Sequence, residues 1–466
     1  MSDTTSWAGA AVAGITAVYA LGSQRLSRTP VSAAIVFAGF GILLGPVALD
    51  VIDLAHDTGP LLSALEAALT LVLFTDAMGV PLGELRAGVA LPGRLLSIGL
   101  VASIGVGWLL AWPLLPGLSG WELALVGAIL APTDAALGAS AIANPGVPRL
   151  VRQTLNVESG LNDGMVLPVF VIILSGIAGT TYAEEGAGGT VWRALVLSTA
   201  LGAAVGWVGG RLLSHSYAHG WISREWGQIY FLAPAVGAYA LADVAKGSGF
   251  IAAWVAGLAL AAALRSNRPL HLIRPIRPTR PPAALPPIRP TRPPALPLDV
   301  RTPEFAEYLG SLLAMISLLI FGAVLLGPAL EHLSWRIVGY AVLSLTAVRV
   351  IPVVLALAGT GLKRPTVAYI AWFGPRGLAS IVLGLLVVEQ HVPGAELIGR
   401  VIAITVGLSI LLHGASAVPL SEHYAHWYAR TAPTAPDLRE SAAAPSAVRT
   451  RRIGAPDAQT HDNLTS

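Results

Sequence analysis

The sequence predicts an all-α polytopic membrane protein with about thirteen transmembrane helices, and three observations support this fold class. Of the 466 residues, 54% are apolar and 12% are charged, about half the charged fraction of an ordinary soluble domain. Apolar runs of about 17–25 residues, long enough to cross a hydrocarbon core, recur along the chain. Cysteine is absent, which excludes disulfide frameworks, thiolate metal sites and cysteine nucleophiles. A solvated multidomain enzyme is excluded because too little polar surface is available to cover its cores.

Thirteen apolar runs qualify as spans, and positive charge decides their orientation. In chain order the runs are 7–23, 31–49, 60–80, 93–115, 121–141, 153–178, 190–213, 226–244, 248–264, 305–328, 335–358, 366–390 and 395–417. Lys and Arg gather on the cytoplasmic side of membrane proteins. With the N-terminus outside, 23 of the 29 basic residues fall in cytoplasmic segments, and removing one helix would invert half of this alternation. We therefore expect a multi-pass protein of the plasma membrane with its C-terminus in the cytoplasm.

Composition divides the chain into four parts. Residues 1–264 contain spans 1–9, and residues 305–417 contain spans 10–13. The linker 265–304 between them includes a repeat of proline and arginine at 276–297. Proline at this density favours extended polyproline II, so we expect a stiff cytoplasmic spacer, although its arginines could also contact anionic lipid headgroups. Residues 418–466 are predicted to be a disordered cytoplasmic tail, because the chain from about Thr431 onward is rich in Ala, Pro, Thr and Ser.

Ionisable residues inside spans indicate a functional site because a charge in hydrocarbon is costly. Asp134 lies 13 residues into the fifth span, whereas Asp163 and Arg376 each lie 10 residues into the sixth and twelfth spans. At 1.5 Å per residue these depths are roughly 15–20 Å, so the three side chains converge on the bilayer midplane. Arg349 lies within snorkelling reach of the cytoplasm, so we expect it to anchor its helix.

The sixth span carries a polar face about two turns long. On a helix Ser159 and Asp163 are four residues apart and share a stripe, while Glu158 and Asn162 share the adjacent stripe. A buried structural network is the alternative interpretation of such a face. Four polar groups beside two further midplane charges favour a transport site instead.

Two spans contain proline at corresponding depths. The fifth span contains Ala131-Pro132-Thr133-Asp134 and the twelfth contains Phe373-Gly374-Pro375-Arg376-Gly377. For a single proline a simple kink is the usual explanation, but here the two spans run in opposite directions across the membrane. Spans 4–6 and 11–13 therefore look like inverted repeats, each with a broken middle helix, which is the layout of secondary transporters with a midplane site.

At these residues the chain resembles the monovalent cation/proton antiporter family, in particular its NhaP-like sodium/proton exchanger branch with an Asn-Asp pair in helix six. Three stretches carry the resemblance: 132–134, 158–164 and 374–377. The resemblance implies a homodimer and a core of six helices in which the two broken helices cross.

The resemblance also implies roles for the site residues. Asp163 would alternately bind a proton or Na⁺, and Ser159, Asp134 and the backbone carbonyl of Thr133 would complete the shell of the ion. Three further residues would support the site: Glu158 would pair with Arg376, and Asn162 would hold the crossed helices together.

The predicted function is therefore secondary active exchange of a monovalent cation, most readily Na⁺, for H⁺. Burial disfavours a charged carboxylate, so a proton and a cation compete for Asp163, and Asn162 in place of a second acid favours an electroneutral ratio of one to one. We expect no resident cofactor and no nucleic-acid partner. K⁺/H⁺ exchange remains an alternative, and a channel without proton coupling is disfavoured by the inverted broken helices. An enzyme is not expected because neither HExxH nor GxSxG occurs.

Overall fold

The structure is a computed structural model that describes residues 3–26, 29–51, 59–80, 90–134, 137–138, 142–184, 186–266, 304–435 and 438–441. The secondary structure in these ranges is helical, without strands. The longer helices, in chain order, are α1 (Asp3–Leu26), α2 (Ala33–Leu44), α3 (Gly59–Gly79), α4 (Leu91–Leu114), α5 (Gly120–Ile129), α6 (Arg149–Ser175), α7 (Trp192–Ala218), α8 (Leu232–Val244), α9 (Gly249–Ser266), α10 (Glu304–Glu331), α11 (Trp335–Leu357), α12 (Arg364–Trp372), α13 (Leu378–Glu389) and α14 (Ala395–Thr431).

These helices coincide with the predicted spans. Within the described ranges, eight helices are at least 18 residues long and apolar enough to cross a membrane. Shorter apolar helices, α2, α5 and α13 among them, accompany these eight. The all-α membrane fold predicted from the sequence is thus confirmed. The number of crossings, thirteen, and the orientation of the termini stay predictions.

Contacts along the chain divide it into two compact units. The first unit comprises residues 1–66, 81–184 and 313–466, and the second comprises residues 67–80 and 185–312. The first unit contains α5, α6 and α11–α14, and therefore every residue predicted to form or support the ion site.

In the second unit, small residues allow α7 and α9 to pack with their backbones in contact. A Cβ atom added at Gly202 would lie 2.3 Å from the carbonyl oxygen of Ala252, and one added at Gly206 would lie 2.2 Å from that of Ala256. Both distances are shorter than any van der Waals contact, so only glycine fits at these two positions. Close packing through small residues is typical of helices in membranes.

In the first unit, α5 is short because its two ends are fixed by specific groups. At its start Ser119 and Glu122 form a capping box, in which Glu122 Oε2 accepts the Ser119 amide at 2.7 Å. The other oxygen of Glu122 accepts the amide of Gly394 at 2.6 Å and joins α5 to the start of α14. The helix ends at Ile129, before Pro132, which has no amide hydrogen to continue it.

The predicted boundary of the tail at residue 418 is wrong. Helix α14 continues to Thr431, and short 3-10 turns follow at Ala432–Thr434 and Arg439–Ser441. Aromatic packing explains this extension, because Tyr424 stacks on Tyr369 with ring centroids 4.4 Å apart. Residues 418–431, which the prediction assigned to the tail, therefore belong to a helix on which Tyr424 is buried.

Other predicted segments lie outside the described residues. Helix α9 extends to Ser266 and α10 begins at Glu304, so the predicted linker begins and ends with helical residues, while its repeat at 276–297 is outside. The predicted tail from residue 442 onward is also outside. For these segments the predictions stand as made.

Candidate functional site

The two predicted helix breaks meet each other through backbone hydrogen bonds. The first break follows α5 at residues 130–134, and the second separates α12 from α13 at residues 373–377. The amide of Asp134 donates to the carbonyl oxygen of Pro375 at 2.8 Å. In the opposite direction, Arg376 Nη1 donates to the carbonyl oxygen of Pro132 at 3.2 Å. Each break therefore satisfies backbone groups that the other leaves open.

Side chains near the crossing also satisfy backbone groups at the ends of α13 and α5. Asp134 Oδ2 accepts the amide of Leu378, the first residue of α13, at 3.2 Å. A carboxylate at a helix N-terminus is favoured by the helix dipole. Ser380 Oγ donates in return to the carbonyl oxygen of Ile129, the last residue of α5, at 2.7 Å. The side chain of Asp134 is thus a helix cap as well as a predicted ion ligand.

The polar face of α6 contacts the first break. Ser159 Oγ donates to the carbonyl oxygen of Thr133, and Asn162 Nδ2 donates to Thr133 Oγ1 at 2.8 Å. Asp163 lies one helical turn beyond Ser159 and is 8% exposed. The structure therefore brings Thr133, Ser159 and Asn162 into direct contact, with Asp163 on the same buried stripe of α6.

A small cavity lies at the point where the two breaks and α6 meet. Its volume is about 10 Å³, room for about one water molecule. Three of the predicted ion ligands, Thr133, Asp134 and Ser159, line this cavity together with Pro375 and several apolar side chains. Hydroxyl, carboxylate and carbonyl oxygens are the donors that hard cations prefer. The cavity therefore has the chemistry to hold a small cation that has lost most of its water.

The predicted pair of Glu158 and Arg376 is wrong, because the partner of Glu158 is Arg349. Two hydrogen bonds join their side chains, from Nη1 to Oε1 at 2.5 Å and from Nη2 to Oε2 at 3.0 Å. Arg349 Nη2 also donates to the carbonyl oxygen of Ile370 in α12 at 3.2 Å. Arg349 is 4% exposed and Glu158 is 3% exposed. Arg349 is thus a buried partner that joins α11 to α6 and α12, and not the surface anchor that its depth suggested.

Arg376 has a different role, since it clamps the crossing of the two breaks. It is fully buried, and its Nη1 donates to the carbonyl oxygens of Pro132 and Gly374 at 3.2 and 3.0 Å. The charges of Glu158 and Asp163 both act on its guanidinium group. Arg376 therefore places a positive charge at the crossing without a direct ion pair to Glu158.

Close packing explains why glycine occupies positions 374 and 377 on either side of Arg376. A Cβ atom added at Gly374 would lie 2.3 Å from Arg349 Nε, and one added at Gly377 would lie 2.1 Å from Asp134 Oδ2. Any side chain at these positions would displace one of the two charged groups. The stretch 374–377 is therefore shaped by the side chains that pack against it.

Sequence reasoning missed several residues that hold this site together. Ser409 of α14 binds the second break, His413 binds the carbonyl group of Trp372 just before it, and Ser380 binds the carbonyl group that ends α5. The spacing of Ser409 and His413, four residues apart in an otherwise apolar span, was a signal that could have found them.

The comparisons with known proteins agree with this geometry. Residues 11–423 match the family described as "Sodium/hydrogen exchanger, transmembrane". The chain belongs to this family. The match covers nearly the whole helical part of the protein, and it confirms the family resemblance predicted from the motifs in α6 and at the two breaks.

Curated relatives carry two kinds of name. The K(+)/H(+) antiporter NhaP of Alkalimonas amylolytica is 26% identical over 401 residues, which are 85% of this chain and 63% of the relative. The Na(+)/H(+) antiporter NhaP of Pseudomonas aeruginosa is 28% identical over 367 residues, 75% of this chain and 78% of the relative. The chain thus spans a little under two thirds of the length of the Alkalimonas relative.

A solved structure shares the fold. The sodium proton antiporter MjNhaP1 from Methanocaldococcus jannaschii, solved at pH 8, aligns with a TM-score of 0.65. The alignment covers 91% of this chain and 98% of that one at 19% sequence identity. At this identity the likeness is evidence for the fold alone.

Proposed function

We propose that this protein is a secondary active antiporter that exchanges a monovalent cation for H⁺ by competition of the two ions for Asp163. The observation that carries the proposal is the cluster of oxygen donors from Thr133, Asp134 and Ser159 around the small cavity at the crossed breaks. Asp163 does not line this cavity, but it lies one helical turn beyond Ser159 on the same stripe of α6. The membership of the sodium/hydrogen exchanger family supports the same activity.

The chemistry follows from burial of the carboxylate. A charged Asp163 in a site that is 8% exposed loses hydration, so the empty, ionised form is costly. A bound proton neutralises the group, and so does a cation held by Asp163 with oxygens of Ser159, Asp134 and Thr133. Each loaded form can move across the membrane more easily than the empty form, which couples the two flows.

The stoichiometry that we propose is one proton for each cation. Asn162 next to Asp163 carries no charge, and its amide is engaged with Thr133 at 2.8 Å. Glu158 is already neutralised by Arg349. One exchangeable carboxylate therefore remains on α6, and electroneutral exchange is the natural result. Sustained cation flux driven by a membrane potential alone, at zero ion gradient, would contradict this ratio.

We propose Na⁺ as the principal cation and K⁺ as the second candidate. The family description and the name of the Pseudomonas relative support Na⁺. The name of the Alkalimonas relative supports K⁺.

The membrane context completes the proposal. We propose a homodimer in the plasma membrane, with the N-terminus outside and the C-terminus in the cytoplasm. The distribution of basic residues along the sequence supports this orientation.

The experiment is exchange measured in proteoliposomes with a dye that reports the internal pH. Wild-type protein should collapse an imposed pH gradient when Na⁺ is added, and Li⁺, K⁺ and choline chloride added separately give the cation preference. The Asp163→Asn variant should lose this exchange, because an amide cannot trade a proton for a cation.

A matched control separates loss of function from a general effect of the substitution. Asp243 lies exposed near the end of α8, so Asp243→Asn makes the same chemical change outside the site and should keep wild-type exchange. Wild-type activity in Asp163→Asn would remove Asp163 from the mechanism. Absence of exchange in the wild-type protein with every cation would contradict the proposed function itself.

A further inference from the structure

One face of α14 lies alongside the second break. Ser409, His413 and Ser416 lie at intervals of four and three residues, so they share one face of the helix. Ser409 is fully buried and His413 is 1% exposed. This polar stripe runs beside the end of α12 and the break at 373–377, and none of its residues belongs to the proposed ion shell.

The ring of His413 bridges α14 and the end of α12. Its Nε2 lies 3.0 Å from the carbonyl oxygen of Trp372. Its Nδ1 lies 3.2 Å from Ser409 Oγ and 3.0 Å from the Ser409 carbonyl oxygen. A neutral imidazole has one N–H group, and the Trp372 carbonyl can only accept. Both ring nitrogens face backbone carbonyl oxygens, of Trp372 and of Ser409, so the hydrogen of a neutral ring is donated to one of these two carbonyls.

The Ser409 hydroxyl oxygen lies 3.2 Å from Nδ1, so the ring of His413 packs directly against the Ser409 side chain. With two lone pairs, this oxygen can accept a hydrogen bond from another element whichever ring nitrogen carries the hydrogen.

That oxygen accepts a hydrogen bond from the second break. The amide of Arg376 donates to Ser409 Oγ at 2.7 Å. The carbonyl of the same peptide group belongs to Pro375 and accepts the amide of Asp134 at 2.8 Å. One peptide plane is thus fixed from both sides, by α14 through its N–H and by the first break through its C=O.

We propose that Ser409 and His413 are positioning residues for the ion site. They fix the peptide between Pro375 and Arg376, and through it the backbone of Asp134 and the wall of the cavity. The geometric part of this inference concerns the break alone, while its effect on cation affinity rests on the proposed function. A hydrogen-bonded chain of four groups thus connects the ring of His413 to the predicted ligand Asp134.

The test uses Ser409→Ala, which removes one oxygen atom and leaves the packing nearly unchanged. Hydrogen–deuterium exchange of the purified full chain should show faster exchange of the fragment 373–378, because the Arg376 amide loses its acceptor. In proteoliposomes the apparent KM for Na⁺ should rise about fivefold, the effect of losing one hydrogen bond, while the maximal rate changes less than twofold.

Further variants separate positioning from stability. His413→Leu should raise the apparent KM in the same direction, and the double variant with Ser409→Ala should exceed the larger single effect by little, because the two residues act in one chain. Ser416 accepts only the indole N–H of Trp372, at 2.9 Å. Ser416→Ala is therefore the matched control and should leave both the apparent KM and the exchange of 373–378 unchanged.

Each outcome decides one part of the inference. Unchanged deuterium exchange of 373–378 in Ser409→Ala would overturn it, whatever the transport result. Faster exchange with an unchanged apparent KM would overturn the positioning role while the proposed function stands. If the wild-type protein transports no cation, the proposed function fails, and the deuterium measurement alone decides whether Ser409 fixes the break.

Discussion

The ion pair of Glu158 and Arg349 allows a quantitative prediction about stability. Replacing Arg349 with Met leaves the carboxylate of Glu158 buried without the two hydrogen bonds of 2.5 and 3.0 Å that it now accepts. The carbonyl of Ile370 also loses a donor at 3.2 Å. Breaking a buried pair in this way costs about 3–5 kcal/mol. At about 2 °C per kcal/mol for a large chain, Tm should fall by about 6–10 °C.

The assay is thermal unfolding of the purified protein in detergent, followed by the fluorescence of its 12 tryptophans. Arg336 is the matched control because it lies exposed on the same helix, stacked on Trp335 at 5.5 Å. Arg336→Met should lower Tm by less than about 2 °C, the usual size of a surface effect.

Double-mutant cycles identify the partner of Glu158. The variant Glu158→Leu with Arg349→Met should be more stable than either single variant, since no buried charge of the pair remains. Its coupling energy should exceed about 2 kcal/mol, whereas the cycle of Glu158 with Arg376 should give less than about 1 kcal/mol. A larger coupling to Arg376, or an Arg349→Met variant as stable as wild type, would refute the assignment.

Two further predictions concern the break and the segment after α14. Gly377→Ala should displace the Asp134 carboxylate, because the new Cβ would lie 2.1 Å from Oδ2. The apparent KM for Na⁺ should then rise by about tenfold or more. Wild-type transport kinetics in this variant would contradict the close packing of Gly377 against Asp134. Glu440→Ala removes the acceptor of the Lys363 amide and the Thr366 hydroxyl, bonded at 2.8 and 2.6 Å. It should lower the free energy of unfolding by about 2 kcal/mol, and an unchanged denaturant midpoint would show that residue 440 does not dock.

Both breaks could be predicted from the sequence because their cause is local. Proline removes an amide hydrogen wherever it stands, so Pro132 and Pro375 marked the ends of α5 and α12 without any knowledge of packing. The shared stripe of Ser159 and Asp163 also followed from spacing, since residues four apart on a helix share a face. That Ser159 lies beside Thr133 was implied only by the family resemblance.

The partner of Glu158 could not be predicted because depth in a membrane does not give direction around a helix axis. Arg349 lies on α11 with apolar residues on every side, such as the exposed Ile351 and the buried Val353. In a soluble helix the polar face shows which side is buried, but a helix in lipid is apolar all round. The pairing with Arg376 was implied by the family resemblance, and nothing in the sequence of α11 pointed to Arg349 instead.

Ser409 and His413 were missed for a related reason. Their contacts are with backbone groups at and just before the second break. Every residue has a backbone, so the sequence does not show which residue will be bound in this way. Their spacing in an apolar span marks them as polar side chains that need partners, but it does not identify those partners.

The crossed breaks have a consequence for how such a chain can be varied. Asp134 caps the half-helix that begins at Leu378, and Ser380 bonds the carbonyl group that ends α5. Neither stretch therefore has a complete set of donors and acceptors by itself. A chimaera that takes one stretch from a relative and keeps the other would combine donors and acceptors from two different proteins, and these need not pair. The two stretches lie more than 200 residues apart in the chain, but they must be exchanged together.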